Sequence, residues 1–251
     1  MGVLAVGTGA KGGWNPIGVH RPQRLADNGE HCPHERRKTV KANEPTPRAG
    51  YRHGDLRRAL LDAGMALARE GGPDAVVLRE ATRRAGVAPN AAYRHFASHL
   101  DLRAAVRAAA LAAVADAIEA ELAQLPTRGR RADRARAGLR AVGAGYLGFA
   151  QREPGLFRAA FAALGPVGND HDPAKAGRGG LNPFELLGAA LDRLVDAQVL
   201  PPERRPGAEY LAWSAVHGLA MLLIDGPLRG VPPAQVQALA QRLLLMVENG
   251  L

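Results

Sequence analysis

The chain has a single cysteine, Cys32, in 251 residues. No disulfide can form within it, and its stability must come from packing alone. That usage agrees with a reducing compartment. Aromatic residues are also scarce, at 4%, although 47% of the chain is hydrophobic. Core volume must then come from Ala, Leu and Val, which favours closely packed helices over a sheet. No uninterrupted apolar run approaches the ~20 residues that a bilayer-spanning helix needs. The early "VLAVG" is too short for a signal core and has no basic stretch before it. A soluble, cytoplasmic protein is expected. Lysine is rare too: the 33 basic residues are almost all arginine.

The charge that is present is uneven. Net charge is +9, with 8 basic and 4 acidic groups in residues 1–50, 9 and 6 in residues 51–103, and 16 and 14 in the rest. A positive N-terminal portion suits a polyanionic partner, most simply double-stranded DNA. A genome that writes arginine often would give the same totals, so local pattern must decide.

Residues 1–50 are rich in Gly, Pro and charge and lack periodicity, so a disordered N-terminal extension is expected. "GTGAKG" (Gly7 to Gly12) matches a dinucleotide fingerprint, which requires a helix to open at its third glycine. Pro16, Gly18 and Pro22 forbid one there, and no cofactor is expected. "HCPH" (His31 to His34) offers metal-ligating side chains, but no second cluster completes a site. No metal is expected either. The abrupt change of composition raises the expectation that translation starts at Val40, which a peptide spanning Trp14 in the native protein would exclude.

From Gly54 the pattern is helical throughout. "DLRRALLDAGMALARE" sets Leu56, Leu60, Ala63 and Leu67 on one face, and Gly71-Gly72-Pro73 ends it. Further helices are expected at Leu78–Ala85, Pro89–Phe96, from Ser98 to about Leu125, Asp133–Glu153, Pro154–Leu164, Pro183–Val199, Gly207–Asp225 and Pro233–Glu248. Pro or Gly marks nearly every boundary. Gly165 to Asn182 reads as a mobile loop.

The second and third of these helices flank "GVA" (Gly86 to Ala88), the spacing of a helix-turn-helix. Gly86 suits the left-handed end of the second helix. In the third, Ala92 and Phe96 are four apart and turn inward, which leaves Asn90, Ala91, Arg94 and part of Tyr93 and His95 outward. Recognition helices read bases through their N-terminal residues, and small residues there let the backbone approach the groove floor. Ala91 can meet a thymine methyl; Asn90 can pair with adenine or take a phosphate. Arg94 can fork onto guanine or bind phosphate. Tyr93 and His95 are placed to hold flanking phosphates. Arg52 and His53, ahead of the first helix, can act as an arm in the minor groove or on a phosphate.

"LLDAGMALAREGGPDAVVLREATRRAGVAPNAAYRHFASHLDL" resembles the DNA-binding domain of TetR-family transcriptional regulators, over about residues 53–103. "YRHGDLRRALL", "EPGLFRAAF" and "WSAVHGLAML" resemble the subgroup with a WHG-type C-terminal domain. The resemblance implies an all-α fold, with an N-terminal three-helix DNA-binding domain at 51–100 and a helical ligand-binding and dimerisation domain at 101–251. It further implies a homodimeric repressor on a palindromic operator, released by a small-molecule effector. Where the family places a capping Ser or Thr, this chain has Val77 and Ala88. Where it places a phosphate-binding Lys at the start of the fourth helix, this chain has His99, which keeps only the position.

In the C-terminal half, Trp213 and His217 are four apart and share a helix face. No nucleophile, carboxylate or metal partner accompanies them, so an enzyme is not expected. Tyr146, Phe149, Phe157, Phe161, Phe184 and Trp213, with His217, are the candidate walls of a ligand pocket. Leu211, Ala215, Leu219, Leu222 and Leu223, together with Leu239, Leu243, Leu244 and Val247, give two terminal helices more apolar surface than one core needs, which suggests association. A helical adaptor that has lost DNA binding is the alternative, because two helix caps are missing.

Overall fold

A computed structural model describes residues 56–162 and 172–251. The N-terminal extension with its "GTGAKG" and "HCPH" motifs, Val40, Arg52 and His53 lie outside the described residues. Nine α-helices, and no strand, are found among those described.

Helix α1 (Leu56–Gly71) buries Leu60, Ala63, Gly64, Leu67 and Ala68 as one stripe. It stops where Gly72 takes a φ of +72° ahead of Pro73. Helix α2 (Leu78–Ala85) ends on Gly86 at φ 67°, and the amides of Gly86 and Val87 return to the carbonyls of Arg83 and Thr82 at 3.2 and 3.1 Å. Only a residue without a Cβ takes that left-handed turn cheaply.

Helix α3 is shorter than the sequence suggests. It spans Pro89–Ala92, not Pro89–Phe96. Residues 93–95 form turns, although the Phe96 amide still donates to the Ala92 carbonyl at 2.9 Å. Two constraints truncate it. Ala88 provides no side-chain cap at its start, and just beyond its end Ser98 must already be extended, at φ −144°, to cap the next helix.

That next helix, α4 (His99–Ala123), opens with a full capping box between Ser98 and Asp101. It is continuous from the helix-turn-helix into the C-terminal half and packs on α1, α5 (Arg131–Arg152), α6 (Pro154–Phe161) and α7 (Pro183–Asp196). Helix α7 ends three residues before Val199 because Gln198 adopts φ 56°, which sends the Val199 and Leu200 amides back to the Leu194 carbonyl. Helices α8 (Ala208–Ile224) and α9 (Pro233–Gly250) pack against α5. The Glu248 carboxylate of α9, with its side chain 7% exposed, pairs with Arg136 and Arg140 of α5.

The described part of the expected mobile loop is pinned instead. Asp116 and Glu119 of α4 accept the Arg178 and Gly179 amides at 2.9 and 3.0 Å, and a single 3₁₀ turn, Pro173–Lys175, packs on α4. Local Gly and Pro content cannot reveal two carboxylates about sixty residues away in sequence.

The core is built largely from Ala, Leu and Val, as the scarcity of aromatics requires. No described helix is long and apolar enough to cross a membrane.

Candidate nucleic-acid interface and aromatic cluster

The turn of α3 is fixed from below. Ala92 is fully buried and Phe96 is 2% exposed, both in the core shared with α1 and α4. From α1, the Arg57 guanidinium lies over the Phe96 ring at 5.3 Å. That contact desolvates one face of the ring and holds the arginine beside the turn, and the sequence gives no sign of it. With its base fixed, the turn presents Asn90, Tyr93 and Arg94 to solvent, Tyr93 at 58% exposure. Ala91 and His95 are half-buried, and His99 is exposed in the first turn of α4. Six of the eight residues read from the sequence as a DNA surface are thus described, and they lie on this turn and the helix start that follows it.

Charge on this segment is partly spent within the protein. Arg83 donates to Glu80 at 2.9 and 2.6 Å, and Arg84 grips Glu70 with two bonds of 2.7 and 2.6 Å. The hydrogen bond from Arg83, followed by that from Arg84, holds the Glu80 carboxyl down at about 2, against some desolvation. Neither Val77 nor Ala88 makes a side-chain cap bond.

A second constellation lies among α5, α6, α7 and α8. Tyr146, Phe157 and Phe161 are within 4.8 to 5.4 Å of one another, centroid to centroid. His217 stands 5.7 Å from Phe157 and from Trp213, and 5.2 Å from Phe161. Phe184 extends the cluster to Trp213 at 6.1 Å and to Tyr210 at 5.6 Å. Six of the seven pocket residues read from the sequence therefore come together. Phe149 is buried but makes none of the ring contacts that join the others, although its spacing of three sets it beside Tyr146 on α5. Tyr210, 53% exposed, also joins the cluster, and no local sequence signal marks it.

The polar atoms within the cluster are linked. Trp213 Nε1 donates to Tyr146 Oη at 3.0 Å, and that hydroxyl lies 2.7 Å from His217 Nδ1. Burial pushes the Tyr146 phenol far above its ordinary range and lowers the His217 imidazole. Both groups are therefore neutral near pH 7.

Helix α6 joins the two regions. Phe157 and Phe161 face the aromatic cluster, while its first turn is pressed on the end of α1. An added Cβ at Gly155 would lie 2.3 and 2.4 Å from the Ala68 and Arg69 carbonyl oxygens. Beside it Arg69 Nε donates to Glu153 at 2.8 Å, and Arg158 pairs with Asp225 at the end of α8 at 3.0 Å. Among the described residues, no three His, Cys, Asp or Glu side chains come together as a metal site.

Residues 60–106 match the family of bacterial regulatory proteins of the tetR type, and residues 139–247 match the tetracyclin repressor-like C-terminal domain. The chain belongs to the TetR family. It is a DNA-binding transcriptional regulator of that family, with an N-terminal helix-turn-helix domain followed by a helical C-terminal domain, and TetR-family regulators are not enzymes.

Solved structures resemble this TetR-family chain over most of its length. One, a protein of unknown function from Rhodococcus sp. RHA1, is 26% identical, covers 81% of this chain and 99% of its own, and superposes with a TM-score of 0.58. Another, SCO4313, named as a candidate regulatory protein, is 19% identical over 80% of this chain and 98% of its own, with a TM-score of 0.52. Both likenesses concern the fold. A comparison with curated proteins finds no match.

Proposed function

We propose that this TetR-family regulator is a cytoplasmic homodimeric repressor that holds a palindromic operator and lets go when a small molecule enters the C-terminal helices. The observation that carries the DNA-binding half is the outward set Asn90, Tyr93 and Arg94 on a turn whose opposite side, Ala92 and Phe96, is locked in the core. Asn90, Ala91 and Arg94 then face base edges. Tyr93, His95 and His99 hold phosphates, and Arg52 and His53 reach along the backbone or into the minor groove.

Dimerisation is supported by α8 and α9. Leu211 and Leu222 of α8 are 67% and 43% exposed, and Leu239, Leu245 and Met246 of α9 are 38%, 47% and 59% exposed. Val247, expected on this surface from the apolar pattern, belongs instead to the core at 9% exposure. A two-fold pair through these helices would offer two recognition turns to a palindrome.

An effector among Tyr146, Phe157, Phe161, Phe184, Trp213 and His217 would act on α6, and α6 bears on α1. Release needs only that the effector prefer an arrangement whose half-site spacing no longer fits. Trp213 and His217, within the stretch that carries the resemblance to the WHG-type subgroup, sit at this cluster and support placing the chain there.

Selection of bound sequences from a random DNA pool tests the proposal. The expected result is a palindrome with half-sites about 34–36 Å apart, or a multiple of one turn. Asymmetric enrichment would refute the dimer. No enrichment at low salt would favour the adaptor reading, which the missing caps at Val77 and Ala88 support.

A further inference from the structure

The chain of hydrogen bonds in the aromatic cluster fixes where each hydrogen lies. The indole N–H of Trp213 can only donate, so Tyr146 Oη accepts it at 3.0 Å. The tyrosine must then place its own hydrogen. His217 Nδ1, at 2.7 Å, is its partner. If Nδ1 carried a hydrogen instead, the Tyr146 hydroxyl hydrogen would be left without an acceptor at a residue only 5% exposed, and an unmade bond of that kind is costly. Nδ1 is therefore the acceptor, and a neutral imidazole of that form bears its hydrogen on Nε2. His217 makes no other hydrogen bond and is half-buried. Its Nε2–H is thus a donor without a protein acceptor, open to solvent at the edge of the ring cluster. Phe157 lies nearly parallel to the imidazole at 27°, and Phe161 meets it edge-on at 67°.

Resting on the reading of this cluster as the effector site, we propose that His217 Nε2–H is its polar reader. We further propose that the effector is a neutral, flat aromatic or conjugated molecule that presents a carbonyl-type acceptor to that N–H. The ring walls select flatness, because offset and edge-on contacts at 5 to 6 Å reward a planar face. The fixed donor selects an acceptor. It also disfavours a cation, which an aromatic cage would otherwise welcome, since the N–H presents its positive end. No charged side chain hydrogen-bonds to Tyr146, Trp213 or His217, so an anion would find no countercharge there.

Three probes of one shape separate these possibilities: 2-acetylnaphthalene, 2-ethylnaphthalene and trimethyl(2-naphthyl)ammonium. Binding to the full chain is followed through the Trp213 indole N–H signal, distinguished from that of Trp14 by a Trp14→Phe variant. Imidazole nitrogen shifts report the His217 tautomer in the unliganded protein. The expected results are a hydrogen on Nε2 and a ketone that binds about twofold to tenfold more tightly than the hydrocarbon, the worth of one neutral hydrogen bond. His217→Phe abolishes that preference. Tyr146→Phe, a milder change, weakens it by releasing the tautomer.

Equal binding of ketone and hydrocarbon overturns the proposal while leaving a ligand site in place, as does tightest binding by the ammonium. A hydrogen on Nδ1 overturns it with no variant needed. If no probe perturbs Trp213, the ligand-site reading fails along with it.

Discussion

Gly155→Ala should destabilise this protein even though alanine is the better helix former. The glycine lies in the first turn of α6, where an added Cβ would sit 2.3 Å from the Ala68 oxygen, 2.4 Å from the Arg69 oxygen and 2.8 Å from the Arg69 carbonyl carbon. Carbon–oxygen contacts settle at about 3.3–3.6 Å, so α1 and α6 must part by about 1 Å. The clashing atoms are backbone and cannot swing aside as a flexible side chain would. Overpacking of this kind costs typically ~1–3 kcal/mol. The gain in helix propensity offsets at most ~1 kcal/mol. Contacts about 1 Å too short on two rigid backbone oxygens fall in the upper part of the overpacking range, ~2–3 kcal/mol, and the net loss of ~1–2 kcal/mol lowers the melting temperature of a chain of this size by about 2–8 °C. Calorimetry of the full-length variant beside the parent checks it. A melting temperature that is unchanged or raised would mean that propensity outweighs contact and that α6 does not press on α1 as described.

Other consequences can be measured separately. His217 is held below its ordinary pKa by burial, so the unfolded chain binds a proton that the folded chain refuses. Stability is therefore full above about pH 6.5 and falls as pH drops below it; melting curves between pH 7.5 and 5.5 should show the fall, and His217→Phe should lessen it, whereas an equal slope in both would assign the fall to other groups. Tyr93→Phe should weaken DNA binding about equally across sequences, and Asn90→Ala should change which sequences are preferred; uniform losses in both, read by repeated selection, would contradict the assigned roles. An added Cβ at Gly218 meets nothing within 4 Å, and Gly218 lies on the exposed side of α8 between Leu211 and Leu222. Gly218→Arg should then leave helix content intact and halve the mass seen by light scattering; a dimer that persists would place the interface elsewhere.

Most of the fold is legible from punctuation. Pro154, Pro183 and Pro233 each begin the helix expected of them, because a proline's missing amide and fixed φ cost nothing in a first turn. Gly86 and Ser98 mark an end and a start for equally local reasons. The inward turn of Ala92 and Phe96 follows from their spacing of four.

What stayed hidden depends on partners distant in sequence. Nothing near Arg84 names Glu70 across the turn between α1 and α2, and nothing near Gly179 names Glu119. Phe149 and Tyr210 changed places in the aromatic cluster because composition counts rings without orienting them. The early end of α3 depended on what the following segment had to do.

The internal pairing of Arg83, Arg84 and Arg103 with Glu80, Glu70 and Asp74 has a consequence for how the regulator responds to its surroundings. A cation already neutralised by its own protein displaces few ions from a DNA duplex. Among the described arginines of this segment, Arg57, Arg79 and Arg94 have no carboxylate partner. Each phosphate they neutralise steepens the logarithmic salt dependence by about 0.9, while the hydroxyl of Tyr93 and the amide of Asn90 add nothing to it. Two copies of these three arginines in a homodimer give a slope of about −5, against about −11 if Arg83, Arg84 and Arg103 were also free, so operator occupancy still falls with ionic strength but about half as steeply.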